Sequence, residues 1–229
     1  AKAGGPNYLF AFGSWTPSQA PEPAEDYELP AGIERLLEIC SEQLGPEGLA
    51  MVTRCVASDE LAWTEHFGAA KDVSQVGVER NVFRYRPGEI TLRISALTPL
   101  QDALRVLFAG LRVGATIHVS TSERLPEGIE ELLLEGAAFG TKLASYIEES
   151  EMTFVERVRA NPPQKIRLLS GNESVLYVQF NGDASIAIYG NPVTESGRVE
   201  MLPFVKEQAV SVTAHRFGAP DPRFLELAI

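Results

Sequence analysis

A chain of 229 residues, 45% hydrophobic and 22% charged, has the composition of an ordinary globule, and its size lets it bury roughly seven tenths of its extended-chain surface. Its net charge of −11 repels nucleic acid and anionic membrane surfaces alike, so neither is expected as a partner. The longest apolar runs, as within Leu104–Val113, fall short of the ~20 residues that cross a bilayer.

No charged-then-apolar leader stands at the start, and Cys40 and Cys55 lack CxxC spacing, so a reduced, cytoplasmic setting is expected. The chain begins at Ala1 without an initiator Met, as a fragment would. Residues 1–15 (AKAGGPNYLFAFGSW) are glycine-rich and then aromatic. Residues 16–30 set Pro17, Pro21, Pro23 and Pro30 among acids, a stretch too polar to offset its ordering entropy, and read as a linker. The folded domain is expected over 31–229.

Ile33, Leu36, Leu37, Cys40 and Leu44 mark one face of a first helix, which Gly45-Pro46 ends. A second helix is expected over Asp59–Phe67, capped by Ser58 and closed by Gly68. Alternation of Ile90, Leu92 and Ile94 makes ITLRIS a strand. Thr98-Pro99-Leu100-Gln101 reads as a capping box, and Leu100, Leu104, Leu107 and Leu111 line the helix that Gly114 stops. ATIHV is the next strand, so this strand–helix–strand unit predicts two parallel neighbours. The alternation continues with a helix from Pro126, a strand near Ser145–Ile147, a helix over Met152–Val158 and a strand at Ile166–Leu169. Glu173–Phe180 leaves two readings: a hairpin strand before Asn181-Gly182, or a short crossover helix. The class is α/β, a Rossmann-like, mostly parallel sheet flanked by helices.

The chain contains no GxGxxG after a strand, no phosphate loop ending in Gly-Lys-Ser/Thr and no GxSxG elbow. His66, His118 and His215 have no acids or thiols at ligand spacing, so no metal site is expected. Cys55 follows Arg54, a cation that lowers a thiol pKa where the thiol is exposed, but Cys40 and Cys55 read as small core residues. Glu130-Glu131 and Glu148-Glu149 read as solvated faces.

Three segments carry a resemblance. KAGGPNYL at Lys2–Leu9 is similar to the end of a 1-pyrroline-5-carboxylate (glutamate-semialdehyde) dehydrogenase domain. ERNVFRYRP at Glu79–Pro87 resembles the start of the extra C-terminal domain of long proline utilization A proteins, and GRVEMLPFVKEQAVSVTAHRFG at Gly197–Gly218 resembles their closing motif. The resemblance covers residues 1–15 and roughly 60–218, and leaves 31–56 unplaced. It implies an aldehyde-dehydrogenase-superfamily domain that packs on the catalytic dehydrogenase domain of the same polypeptide and helps seal the passage between two active sites. The parent would oxidise proline to glutamate with FAD at one site and NAD at the other; the fragment itself would hold no cofactor.

On that resemblance Gly4 and Gly5 correspond to the loop whose backbone N–H groups hold the semialdehyde carboxylate. In aldehyde dehydrogenases a Lys-Pro-Ser-Glu motif holds the adenosine ribose; here Ser120-Thr121-Ser122-Glu123 stands in its place, with the Lys gone and Ser120 and Glu123 marking the degenerate position. Neither cysteine has the surroundings of the nucleophile, so no thiohemiacetal is expected. Glu207, Gln208, His215 and Arg216 are the interdomain, channel-closing candidates, with a solvated strand edge as the alternative for His215-Arg216. Asn81, Arg84 and Arg86 are expected to pair with the domain's own acids. Competing readings are an autonomous NAD-linked aldehyde dehydrogenase and a small-ligand regulatory module; a homo-oligomer is compatible with each.

Overall fold

The structure is a computed structural model and describes residues 13, 16, 18–22, 28–75, 78–135, 143–213, 223 and 227. α1 (Ala31–Ser41) turns Ile33, Leu36 and Cys40 into the core at helical spacing. Gly45-Pro46 both separates and restarts: Pro46 is the first residue of α2 (Pro46–Ala62), where its missing N–H is one of the orphan donors anyway. The expected helix at Asp59–Phe67 is therefore only the end of a longer one. Ser58 lies inside α2, and its Oγ accepts the Gly197 N–H at 3.0 Å instead of capping. The helix loosens into a π-helical turn at Trp63–Phe67 before Gly68.

β1 (Glu79–Pro87) and β2 (Glu89–Ile94) precede α3 (Leu100–Val113) and β3 (Thr116–Thr121). The capping box at Thr98 is not formed. Pro99 is the N-cap, and the Thr98 hydroxyl donates across to the Leu169 carbonyl at 3.2 Å, tying this turn to a neighbouring strand. Leu104, Leu107 and Leu111 are buried as their spacing requires, each stabilising by roughly 1.5–3 kcal/mol. Gly114 ends α3 in the left-handed region at φ 75°.

Then come α4 (Glu127–Glu135), β4 (Leu143–Glu148), α5 (Glu151–Ala160), β5 (Lys165–Leu169), α6 (Glu173–Gln179) and β6 (Ala187–Tyr189). Helix is the outcome for Glu173–Phe180. The Asn172 side chain caps α6 by accepting from Ser174 N at 3.0 Å, and Asn181-Gly182 supplies left-handed residues (φ 52° and 68°) to end a helix rather than to turn a hairpin. The short α7 (Gly197–Glu200) and a 3₁₀ turn at Leu202–Phe204 lead into β7 (Val205–Thr213).

β2 through β6 form one five-stranded parallel sheet in the order β4-β3-β2-β5-β6. Ile90 pairs Ile117 and Leu92 pairs Val119, the parallel register expected of the first crossover. Ile90, Leu92 and Ile94 share the larger hydrophobic cluster with α1–α4, while Ile166 and Leu168 join Phe154 and Leu176 in a smaller one under α5 and α6. The strand order reverses between β2 and β5, which is where α/β sheets open a crevice at their carboxyl ends. Outside this sheet, β1 and β7 form an antiparallel ribbon running from Glu79↔Thr213 to Pro87↔Val205. Among the described residues no helix is long and apolar enough to cross a membrane.

Candidate functional site

The carboxyl ends of the sheet strands divide into a filled half and an open one. In the filled half Ser120, on β3, is fully buried. Its Oγ donates to Glu149 Oε1 at 2.6 Å and accepts from Arg93 Nη1 at 2.8 Å. Arg93 projects from β2, also fully buried; its Nη2 reaches Ser122 Oγ at 2.6 Å and Glu151 Oε1 at 3.0 Å, and its guanidinium lies 4.8 Å from the Phe154 ring centroid. Arg157 closes the cluster with contacts of 2.5–3.1 Å to Glu149. Burial opposes the Glu149 charge, but hydrogen bonds from Arg157 and Ser120 hold its carboxyl below the usual range.

These contacts revise one expectation: Glu149 is a buried acid of an ion cluster, not part of a solvated face. Glu130 too is mostly covered and pairs with Arg124 at 2.6 Å. Glu123 is exposed and contributes its backbone to a turn with the Thr121 hydroxyl. Ser120 and Glu123 therefore do not converge on a common ligand. Arg93 is masked in the sequence by the apolar alternation of ITLRIS, where a single charge inside the strand is the one signal for it.

The open half lies at the reversal point. A cavity of about 700 Å³ is enclosed by the β2–α3 turn, α5, the end of β5 and α6. Phe154 stands between this cavity and the ion cluster. Ser95 is one of its lining residues, but the Ser95 Oγ is sealed from the cavity and has no hydrogen-bond partner among the described residues. Ser170, next to it just past the end of β5, is held at φ 54°, unusual for a residue with a side chain.

Neither cysteine is near a reactive state. Cys40 and Cys55 are fully buried, and burial pushes both thiols up to about 12. Among the described residues no group of three or more His, Cys, Asp or Glu side chains is arranged to hold a metal.

Of the interdomain candidates, Gln208 accepts from Arg84 Nε at 2.7 Å across the ribbon, so Arg84 pairs with an amide rather than an acid. Glu207 is half-buried opposite Tyr85, and Asn81 accepts from Ser211 Oγ at 2.6 Å. Gly4, Gly5, His215 and Arg216 lie outside the described residues.

No protein-family model matches the chain, and no curated protein matches it in sequence. Solved structures do. Proline utilization A from Corynebacterium freiburgense superposes with a TM-score of 0.59 at 29% identity, over 94% of this chain and 18% of that one. Indole-3-acetaldehyde dehydrogenase in its apo form matches at TM-score 0.54 and 12% identity, over 69% of this chain and 42% of that one. Proline utilization A from Bdellovibrio bacteriovorus, inactivated by N-propargylglycine, matches at 0.51 and 13%, over 69% of this chain and 19% of that one. This chain thus spans less than half the length of each of these three, and its five-stranded parallel sheet flanked by helices has the Rossmann-type fold seen in aldehyde dehydrogenases and proline utilization A.

Proposed function

We propose that the chain is a non-catalytic C-terminal piece of a bifunctional enzyme that oxidises proline to glutamate. In this reading it packs on the catalytic dehydrogenase domain of the same polypeptide and helps enclose the path of the intermediate. The observation that carries it is the 29% identity over 94% of this chain to under a fifth of a proline utilization A chain, the proportion of one domain in a larger polypeptide. Residues 1–15 would then be the tail of the preceding catalytic domain and 16–30 a linker. FAD and NAD would bind elsewhere in the parent.

The residues do not fit a dinucleotide. The ribose position carries Ser120 sealed under Arg93 and Glu149, no glycine lies in the β2–α3 turn, and both thiols are held protonated by burial. The ribbon supports the docking half of the proposal. β7 is an edge strand of its two-stranded sheet among the described residues, and an exposed edge offers backbone groups for pairing with another domain.

The test is the full-length polypeptide lacking Glu207–Ile229. Proline oxidation at the distant flavin site should persist, while coupled glutamate formation falls or the lag before NADH lengthens. Dehydrogenase activity with added semialdehyde is measured in parallel, so that a damaged dehydrogenase site is distinguished from a leaking passage. Unchanged coupled kinetics in a folded deletion protein would remove the enclosing role.

A further inference from the structure

We propose that residues 18–22 (SQAPE) are a strap that docks on a preformed seat where α2 meets α7, so that the acidic, proline-rich stretch is pinned at Ala20 instead of swinging free. The partner surface is the domain's own, and the inference stands apart from the docking role proposed above. Ala20 is 8% exposed, while Ser18, Gln19, Pro21 and Glu22 on either side of it are all exposed. One small side chain tucked in between exposed neighbours is an anchor, not a passing tether. Pro21 restricts the residue before it to extended backbone, so Ala20 gives up less freedom on docking.

The seat is built without the strap. Arg54, on α2, grips Glu195 through Nε to Oε2 at 3.0 Å and Nη2 to Oε1 at 3.1 Å, with only 11% and 15% of the two side chains exposed. Two residues on, the Gly197 N–H donates to Ser58 Oγ at 3.0 Å and fixes the start of α7 against α2. Glu195 Oε2 accepts one donor more, the Ala20 N–H at 2.9 Å. Glu22 comes within 3.6 Å of Arg54 Nη1 but is 75% exposed, so it steers the strap and does not hold it.

Pinning shortens the tether. Thr16 lies four residues before Ala20, about 14 Å of extended chain at ~3.3–3.6 Å each, against about 50 Å for the fifteen residues 16–30. Whatever precedes Thr16 is thereby confined to the neighbourhood of α2 and α7.

Cys40 and Cys55 are fully buried, so a nitroxide attached at Ser18→Cys labels one place. In the ¹⁵N-labelled 229-residue chain it should broaden the amides of Arg54–Ser58 and Glu195–Gly197. The Ala20 amide should exchange about 10- to 100-fold more slowly than an unstructured one, the value of one hydrogen bond to a charged acceptor. Ala20→Pro removes that N–H and keeps the backbone extended; Ala20→Gln puts a long side chain where a methyl is buried. Each should abolish the broadening and leave the amide shifts of the parallel sheet in place, whereas Glu22→Gln should keep the broadening. Wild-type broadening in either Ala20 variant, an Ala20 amide exchanging at the unstructured rate, or release of the strap by Glu22→Gln would each overturn the proposal. Broadening that passes only from a spin-labelled chain to a separate ¹⁵N-labelled one in a mixture would overturn it too, since the strap would then belong to a second copy.

Discussion

Arg93, Arg105 and Arg167 are among the largest side chains with no exposure, and each interrupts an apolar pattern. Arg105 grips Asp59 through two bonds of 2.7 and 2.8 Å and donates Nε to the Thr194 carbonyl at 2.8 Å. Burial works against its charge, but the Asp59 carboxylate outweighs this and raises its pKa. Arg167 bonds Glu200 at 2.7 Å and three backbone carbonyls between 2.9 and 3.2 Å. Such pairs matter chiefly by what their loss leaves behind. Asp59→Asn strands the Arg105 charge and should cost about 3–5 kcal/mol in urea unfolding, while Asp59→Asn with Arg105→Met should recover part of it. The cysteines give a second residue-level expectation. Ellman's reagent should not react with Cys40 or Cys55 in the native chain at pH 8. Because burial raises both folded pKa values from 9.0 to about 12, their contribution to stability is complete below pH 9 and is lost as pH rises towards 12. Replacing both by Ala should flatten the alkaline limb of the stability profile; a limb of unchanged slope would contradict this.

Elements were legible where one local signal dominated. The stripe Leu104–Leu107–Leu111 and the alternation Ile90–Leu92–Ile94 need only the chain itself, and both lie where their periods put them. The failures came where a side chain serves a distant element. Thr98 resembles a cap in sequence, yet its hydroxyl binds the Leu169 carbonyl 71 positions away. Ser58 likewise receives the Gly197 N–H from 139 positions away, and α2 runs through it. Site residues follow the same rule: the resemblance marks Ser120, but Arg93 and Glu149, which seal it, meet only when β2, β3 and the turn after β4 assemble. The α2–α7 crossing yields a sharp test. A Cβ at Gly197 would meet the Ser58 carbonyl oxygen and come within 2.7 Å of Asp59 Cα, both backbone and unable to swing aside. Gly197→Ala should therefore destabilise by about 1–3 kcal/mol or more by thermal melting, as overpacking does. A neutral effect would show that α7 is free to shift away from α2.

At the scale of the whole molecule, a sheet with the strand order of a dinucleotide-binding domain carries an interior that works against that use. The crevice of such folds must leave the strand ends open and offer backbone N–H groups to phosphate. Here one half of the strand ends is occupied by Arg93, Ser120, Glu149 and Arg157, and the other is an apolar cavity. A dinucleotide would have to displace a mutually bonded set of charges and leave them unpaired in low dielectric, a loss that ribose hydroxyls cannot repay. Equilibrium dialysis of NAD against the 229-residue chain should accordingly show no saturable binding up to millimolar cofactor. NADH should not appear when glutamate semialdehyde is added with NAD. Restoring the lost lysine alone, as Ser120→Lys, should not create binding; it would set a third cation beside Arg93 and Arg157 and should instead lower stability. Saturable NAD binding by the wild-type chain would mean that the ion cluster opens at small cost, and the proposal of a non-catalytic piece would fail with it. A steady NADH rate abolished by Cys55→Ser would go further and make that buried thiol a nucleophile, against the burial that now holds it protonated.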